Sequence, residues 1–162
     1  MKYALLLLFC TFVATGVNRP VENVNPLVLL KPIKPKPIKV DPLVNALILV
    51  ESSGNDSAIG DTHLPVPSIG CLQIRPIMVR EVNRILKLKG AKVRFKLKDR
   101  FNRDKSVEMF MIWKEFHYED ADWEMIARAW NGGPMGYKKS RTLKYWKKVQ
   151  QQISENALGS EK

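Results

Sequence analysis

The chain has 162 residues, 45% hydrophobic and 27% charged. That composition excludes an intrinsically disordered protein and leaves room for one core-forming domain with accessory segments. The formal net charge of +11 points to a polyanionic partner, whether nucleic acid, an anionic membrane or an acidic cell-wall polymer, and does not choose among them.

Residues 1–16, MKYALLLLFCTFVATG, have the pattern of a secretory signal peptide. Lys2 forms the positive end, Ala4 to Val13 the apolar stretch, and Ala14-Thr15-Gly16 the small residues at which cleavage is expected, near Gly16. A retained membrane anchor is the competing reading, but the run is short and no stop-transfer charge cluster follows. Lipidation of Cys10 is disfavoured because Phe9, not a small residue, precedes it. With the signal removed only Cys71 remains, so no intramolecular disulfide can form despite the oxidising destination of an exported protein. Residues 17–40 include KPIKPKPIK, which reads as an extended, polyproline-like linker or an ordinary disordered leader.

At Asp41 the character changes. Asp41 is placed to cap a helix and Pro42 suits its first position. From Leu43 to Val50 nearly every side chain is apolar, which predicts a helix with no wet face, buried at the centre of the domain. It is too short for a bilayer, which needs about 20 residues. Glu51 stands where this run meets Ser52-Ser53-Gly54-Asn55. A carboxyl there is half in low dielectric, and desolvation raises the pKa of an acid. A carboxylic acid still protonated near neutral pH can serve as a general acid. Alternatively, Glu51 only marks where the helix emerges into water.

The following loop, to Gly70, is long enough to suggest function. His63 reads as a solvated loop residue, with no second His or Cys at ligand spacing, so neither metal nor cofactor is expected. Ser68 to Ile74 is a short apolar run holding one amide, Gln73. Arg75-Pro76 opens a helix to about Lys89, closed by Gly90. Residues 91–103 are densely basic, and alternation of Val93, Phe95 and Leu97 with cations suggests a short strand or a solvated basic edge. No nucleic-acid-binding module is recognisable in them. Further helices are predicted over Asp104–Tyr118, from a cap at Asp122 to the stop at Asn131-Gly132-Gly133-Pro134, and from Ser140 to about Glu155, with a frayed tail over 156–162. The class is mainly α, with the folded domain at 41–155.

Taken in order, four motifs resemble those of the soluble-type lytic transglycosylase family, related to goose-type lysozyme. They are Glu51-Ser52 ending the apolar helix, Ser68-Ile-Gly-Cys-Leu-Gln73-Ile, Ala129-Trp130-Asn131-Gly132-Gly133, and Thr142-Leu-Lys-Tyr145-Trp146. The resemblance implies a lysozyme-like helical fold with a glycan-binding groove. It also implies cleavage of peptidoglycan between N-acetylmuramic acid and N-acetylglucosamine. Glu51 would be the sole acid and base. Ser52 and Gln73 would orient the substrate's N-acetyl group, Asn131 and Tyr145 would line the groove near Glu51, and Ser68 and Trp130 would also be substrate-binding residues. The protein would be a monomer in the periplasm or cell envelope, held by its cations on anionic wall or membrane, without nucleic acid.

Trp130 departs from the family's usual tyrosine, and its indole offers an N–H in place of a phenol. Outside the resemblance, Gln73 also reads as a helix cap, Asn131 as a left-handed helix end and Tyr145 as a core residue. A goose-type hydrolase using Asp56 or Asp61 to position water, and a non-catalytic wall-binding module, are the rival functions.

Overall fold

The computed structural model describes residues 41–159. The expected signal peptide and the Pro/Lys-rich linker, residues 1–40, lie outside the described residues, as do the last three residues of the tail. The described residues form five α-helices, α1 (Pro42–Ser52), α2 (Pro76–Leu88), α3 (Arg103–Tyr118), α4 (Trp123–Gly132) and α5 (Leu143–Gly159). Two short antiparallel strands, β1 (Ile59–Gly60) and β2 (Ser68–Ile69), pair Ile59 with Ile69 and Gly60 with Ser68. The class is mainly α, as the periodicity and cap signals imply.

α1 begins as its sequence dictates. The Asp41 carboxylate accepts the Leu43 amide at 2.9 Å, and Pro42 follows it. The same carboxylate pairs with Lys114 of α3 at 3.0 Å. Leu43, Val44, Ala46, Leu47 and Ile48 are buried, and α1 packs most extensively on α5. The expectation of a helix without a wet face needs correction. Pro42, Asn45 and Leu49 are exposed, Leu49 at 37%. Spaced by three and four residues, they share one stripe, and the apolar residue types do not by themselves bury it.

The other helices gather around that core. α2 lies on α3, and α4 packs on α5 and α1. Phe110, Met109 and Trp113 of α3, Ile126, Ala127 and Ala129 of α4, and Val149 of α5 close on α1 and on the buried Cys71-Leu72-Ile74 segment. Asn102 caps α3, accepting the Lys105 amide at 3.0 Å. Asp122 caps α4, accepting from Met125 at 2.7 Å. Residues 140–142 form a 3₁₀ turn ahead of α5, and α5 continues past Glu155 to Gly159, so residues 156–159 are helical and not a frayed tail.

The basic stretch 91–103 forms no strand. Residues 97–101 make a 3₁₀ turn, and both backbone groups of Phe95 are taken by one side chain. Asn83 of α2 donates to the Phe95 carbonyl at 2.9 Å and accepts its amide at 2.8 Å, which replaces a strand partner. Arg100 is not part of a solvated edge: it is 6% exposed. Its guanidinium donates to the carbonyls of Leu97 (2.8 Å), Ile74 (3.1 Å) and Pro67 (3.3 Å). A buried cation must have such partners, because an unpaired one would lose its hydration for nothing. The contact is close: a Cβ on Gly70 would lie 1.9 Å from the Arg100 carbonyl oxygen, so only glycine fits there.

Candidate active site

Glu51 occupies the last turn of α1. The packing of α5 on α1 brings Tyr145, 94 residues later, against it, and the phenol donates to Glu51 Oε1 at 2.6 Å. Glu51 is only partly accessible. Burial pushes its carboxyl up from the ordinary 4.5 to about 7, against the Tyr145 hydrogen bond, which favours the charged form, and with a smaller upward push from the negative charge of Asp61. Desolvation therefore outweighs the bond. Burial, then the charge of Glu51, holds the Tyr145 phenol well above its usual range, so Tyr145 stays protonated and remains a donor. Glu51 Oε2 accepts no hydrogen bond from the described residues, and it is not among the fully enclosed, unpartnered polar atoms. It is the oxygen free to meet a ligand.

The neighbouring residues fix the end of α1. Ser53 adopts a left-handed conformation (φ 53°), and its amide bonds back to the Leu49 carbonyl at 2.9 Å, as helix-ending residues do. The Ser52 hydroxyl reaches the carbonyls of Cys71 (2.9 Å) and Ile48 (3.1 Å). That links the helix end to the turn after β2. Ser52 thus holds Glu51's backbone in place through the buried Cys71 segment. The Cys71 thiol itself is pushed up by burial and by the Asp56 charge, which keeps it protonated and inert.

Ser68 and Gln73 form one network. The Ser68 hydroxyl donates to Gln73 Oε1 at 2.8 Å, and Gln73 Nε2 donates to the Gly70 carbonyl at 2.9 Å and the Ala58 carbonyl at 3.4 Å. Gln73 has φ 48°, a conformation a non-glycine residue adopts only when its surroundings hold it there. The backbone of Gly60 closes over this amide, since a Cβ at Gly60 would lie 2.0 Å from Gln73 Oε1. Gln73 does not cap α2; Arg75 is the residue at that cap, with no side-chain hydrogen bond. The amide instead fastens the β1–β2 hairpin, whose connecting loop begins at Asp61.

Trp130 stands edge-on to Phe110 (5.0 Å, 75°) and Trp113 (5.2 Å, 68°) of α3, in an aromatic cluster. The hydrogen bond to the acid comes from Tyr145 and not from position 130. Asn131 is exposed in the last turn of α4 and is not left-handed; Gly133, with φ 82°, ends that helix. No hydrogen bond ties Asn131 to Glu51. Asp56 is engaged with Arg103, 3.0 Å away. Asp61 is exposed, with φ 53°, and its charge reaches Glu51. Among the described residues no three His, Cys, Asp or Glu side chains gather in a metal-binding group.

Among the open depressions on the described surface, one is lined by Leu49, Val50, Ser53, Lys148, Gln151 and Gln152, another by Ala121, Asp122, Trp123, Glu124 and Trp146. Glu51 lines neither. Sequence reasoning missed the direct Tyr145–Glu51 bond and named Asp61 only as an alternative to Asp56 in a hydrolase, not as a charge acting on Glu51. Nothing local in TLKYW or AIGDT specifies either contact.

Comparison with models of known protein families finds none that matches this chain, and a search of curated proteins returns no match.

Proposed function

We propose that the protein is an exported peptidoglycan lytic transglycosylase of the soluble-type family, with a lysozyme-like helical fold, a glycan groove running past Glu51, and Glu51 as its only acid and base. The observation that carries this reading is the Glu51–Tyr145 pair: a carboxyl raised to about 7, one oxygen held by a phenol at 2.6 Å and the other without a hydrogen bond from the described residues. About half of such a carboxyl is protonated at pH 7, which suits a group that must first give and then take a proton.

In the proposed reaction Glu51 Oε2 donates its proton to the glycosidic oxygen between N-acetylmuramic acid and N-acetylglucosamine. The C1–O bond breaks and the N-acetylglucosamine end leaves as an alcohol. The ionised Glu51 then takes the proton of the muramic acid 6-hydroxyl as that oxygen bonds to C1, closing a 1,6-anhydro ring and restoring the acid. The Tyr145 phenol donates to Oε1 throughout and steadies the carboxylate while it is charged. Ordinary glycosidases use two carboxylates. An internal hydroxyl needs no second one, since its effective molarity reaches about 10⁵ M or more when well oriented. Ser52, Ser68 and Gln73 serve by fixing the helix end and the hairpin. Trp130 and the exposed Asn131 are the α4 residues offered to the glycan.

A hydrolase of goose-type lysozyme character is the second reading. It is favoured by the Asp61 charge acting on Glu51, while Asp56 is committed to Arg103. Digestion of purified peptidoglycan, with the sugar ends identified by mass, decides between them. Anhydro-muramoyl ends support the transglycosylase. Reducing muramic acid alone rejects it in favour of hydrolysis, and no released muropeptides at all leaves a non-catalytic wall-binding module.

A further inference from the structure

The stretch from the end of α2 to the 3₁₀ turn combines two properties rarely left together in water. Residues 87–98 contain six lysines and arginines and no carboxylate, and all six are exposed. Between them Leu88 and Val93 are each 63% exposed and Leu97 51%. The next acid, Asp99, is buried and taken up by Lys105 at 2.7 Å and by the Lys96 amide at 2.7 Å, so it does not offset the patch.

The loop is built and not slack. Phe95 is buried as an anchor, Asn83 grips both its backbone groups, and Arg94 folds back onto the carbonyls of Ala91 and Val93 at 2.6 Å. These contacts hold Val93 and Leu97 outward on either side of a fixed point. A polyanion in solution would satisfy the cations and leave three large aliphatic side chains in water. A surface that offers negative headgroups above hydrocarbon satisfies both sets: cations gain from anionic lipid within a Debye length, and aliphatic side chains gain from the acyl boundary. Among the described residues no helix is long and apolar enough to cross a membrane, so contact through this patch would be peripheral.

We propose that residues 87–98 form a docking surface for an anionic lipid bilayer, with Leu88, Val93 and Leu97 entering the headgroup–acyl boundary and the flanking cations on the headgroups. The proposal is independent of the glycan chemistry assigned to Glu51.

The apolar N-terminal run of the full chain can hold it on any vesicle, so the test must report locally. Amide hydrogen exchange of the full chain is followed on phosphatidylcholine vesicles with and without phosphatidylglycerol, and with soluble polyphosphate. The expected result is slowing on the order of tenfold for amides 88–97 on the anionic vesicles only. It should be lost in the V93D/L97D double variant, whose two sites are exposed and whose fold is therefore kept. Equal slowing by polyphosphate would reduce the patch to a charge effect and overturn the proposal. So would unchanged slowing in V93D/L97D, or none on anionic vesicles.

Discussion

Replacing Glu51 by Gln tests the electrostatic reading without disturbing shape, since the amide oxygen can still accept from Tyr145. A carboxyl raised in the folded state from 4.5 to about 7 binds its proton more tightly there than in the unfolded chain. Below about pH 4.5 both states are protonated and the acid costs nothing. Between about 4.5 and 7 the unfolded chain ionises while the folded one does not, so stability falls as pH rises, by about 1.4 kcal/mol per pH unit. Above 7 the loss levels off at about 3 kcal/mol. Glu51→Gln removes this loss. Denaturant unfolding of wild type and variant at pH 4, 6 and 8.5 should give nearly equal stabilities at the lowest pH and a variant more stable by about 3 kcal/mol at the highest. Two curves that stay parallel across this range would refute the claim that burial raises Glu51. In the proposed reaction the same titration governs activity, which should decline as pH rises through about 7 because the proton to be donated is gone.

Other substitutions probe the supports. Tyr145→Phe removes the bond that favours ionised Glu51, so the alkaline limb of the pH–activity curve should move to higher pH; a limb that stays put or moves down contradicts the assigned role of the phenol. Gly60→Ala places a Cβ against Gln73 Oε1 and should cost about 1–3 kcal/mol by denaturant unfolding. Arg100→Met keeps bulk but strands the Pro67 and Ile74 carbonyls, a loss of about 2–4 kcal/mol, and Arg100→Lys should recover little because one ammonium cannot reach the same set of acceptors. Asp41→Ala should cost about 1–2 kcal/mol through the lost cap, whereas Asp41→Asn keeps the cap and should cost less than about 1 kcal/mol, the scale of a single ion pair that still touches water.

Local chemistry made the helices readable. Asp41-Pro42 and Asp122 sit at caps, and glycine follows α2 and ends α4, because each satisfies backbone groups within a few residues of itself. What escaped the sequence depends on distant partners. The alternation of Val93, Phe95 and Leu97 suggested a strand, but the Phe95 backbone bonds to Asn83 of α2, leaving no ladder to extend. Arg100 looked solvated among its cationic neighbours, yet its acceptors at Ile74 and Pro67 lie 26 and 33 residues back. At the site, Glu51 stood out because a carboxylate ending an apolar helix is conspicuous. Its partner did not: Tyr145 reads equally as core, and only the packing of α5 on α1 turns its hydroxyl onto the acid. Gln73 was visible as a lone amide in an apolar run, but its attachment to Ser68, Ala58 and Gly70 follows from a hairpin of two-residue strands that no periodicity reveals.

The protonation of Glu51 itself is the quantity on which the proposed chemistry turns. Following the Glu51 side-chain carboxyl carbon by NMR in the full chain, as pH is raised, measures it without reference to any substrate. A midpoint near 7, moving higher in Tyr145→Phe, is expected; a midpoint near 4.5 in both proteins would contradict the account.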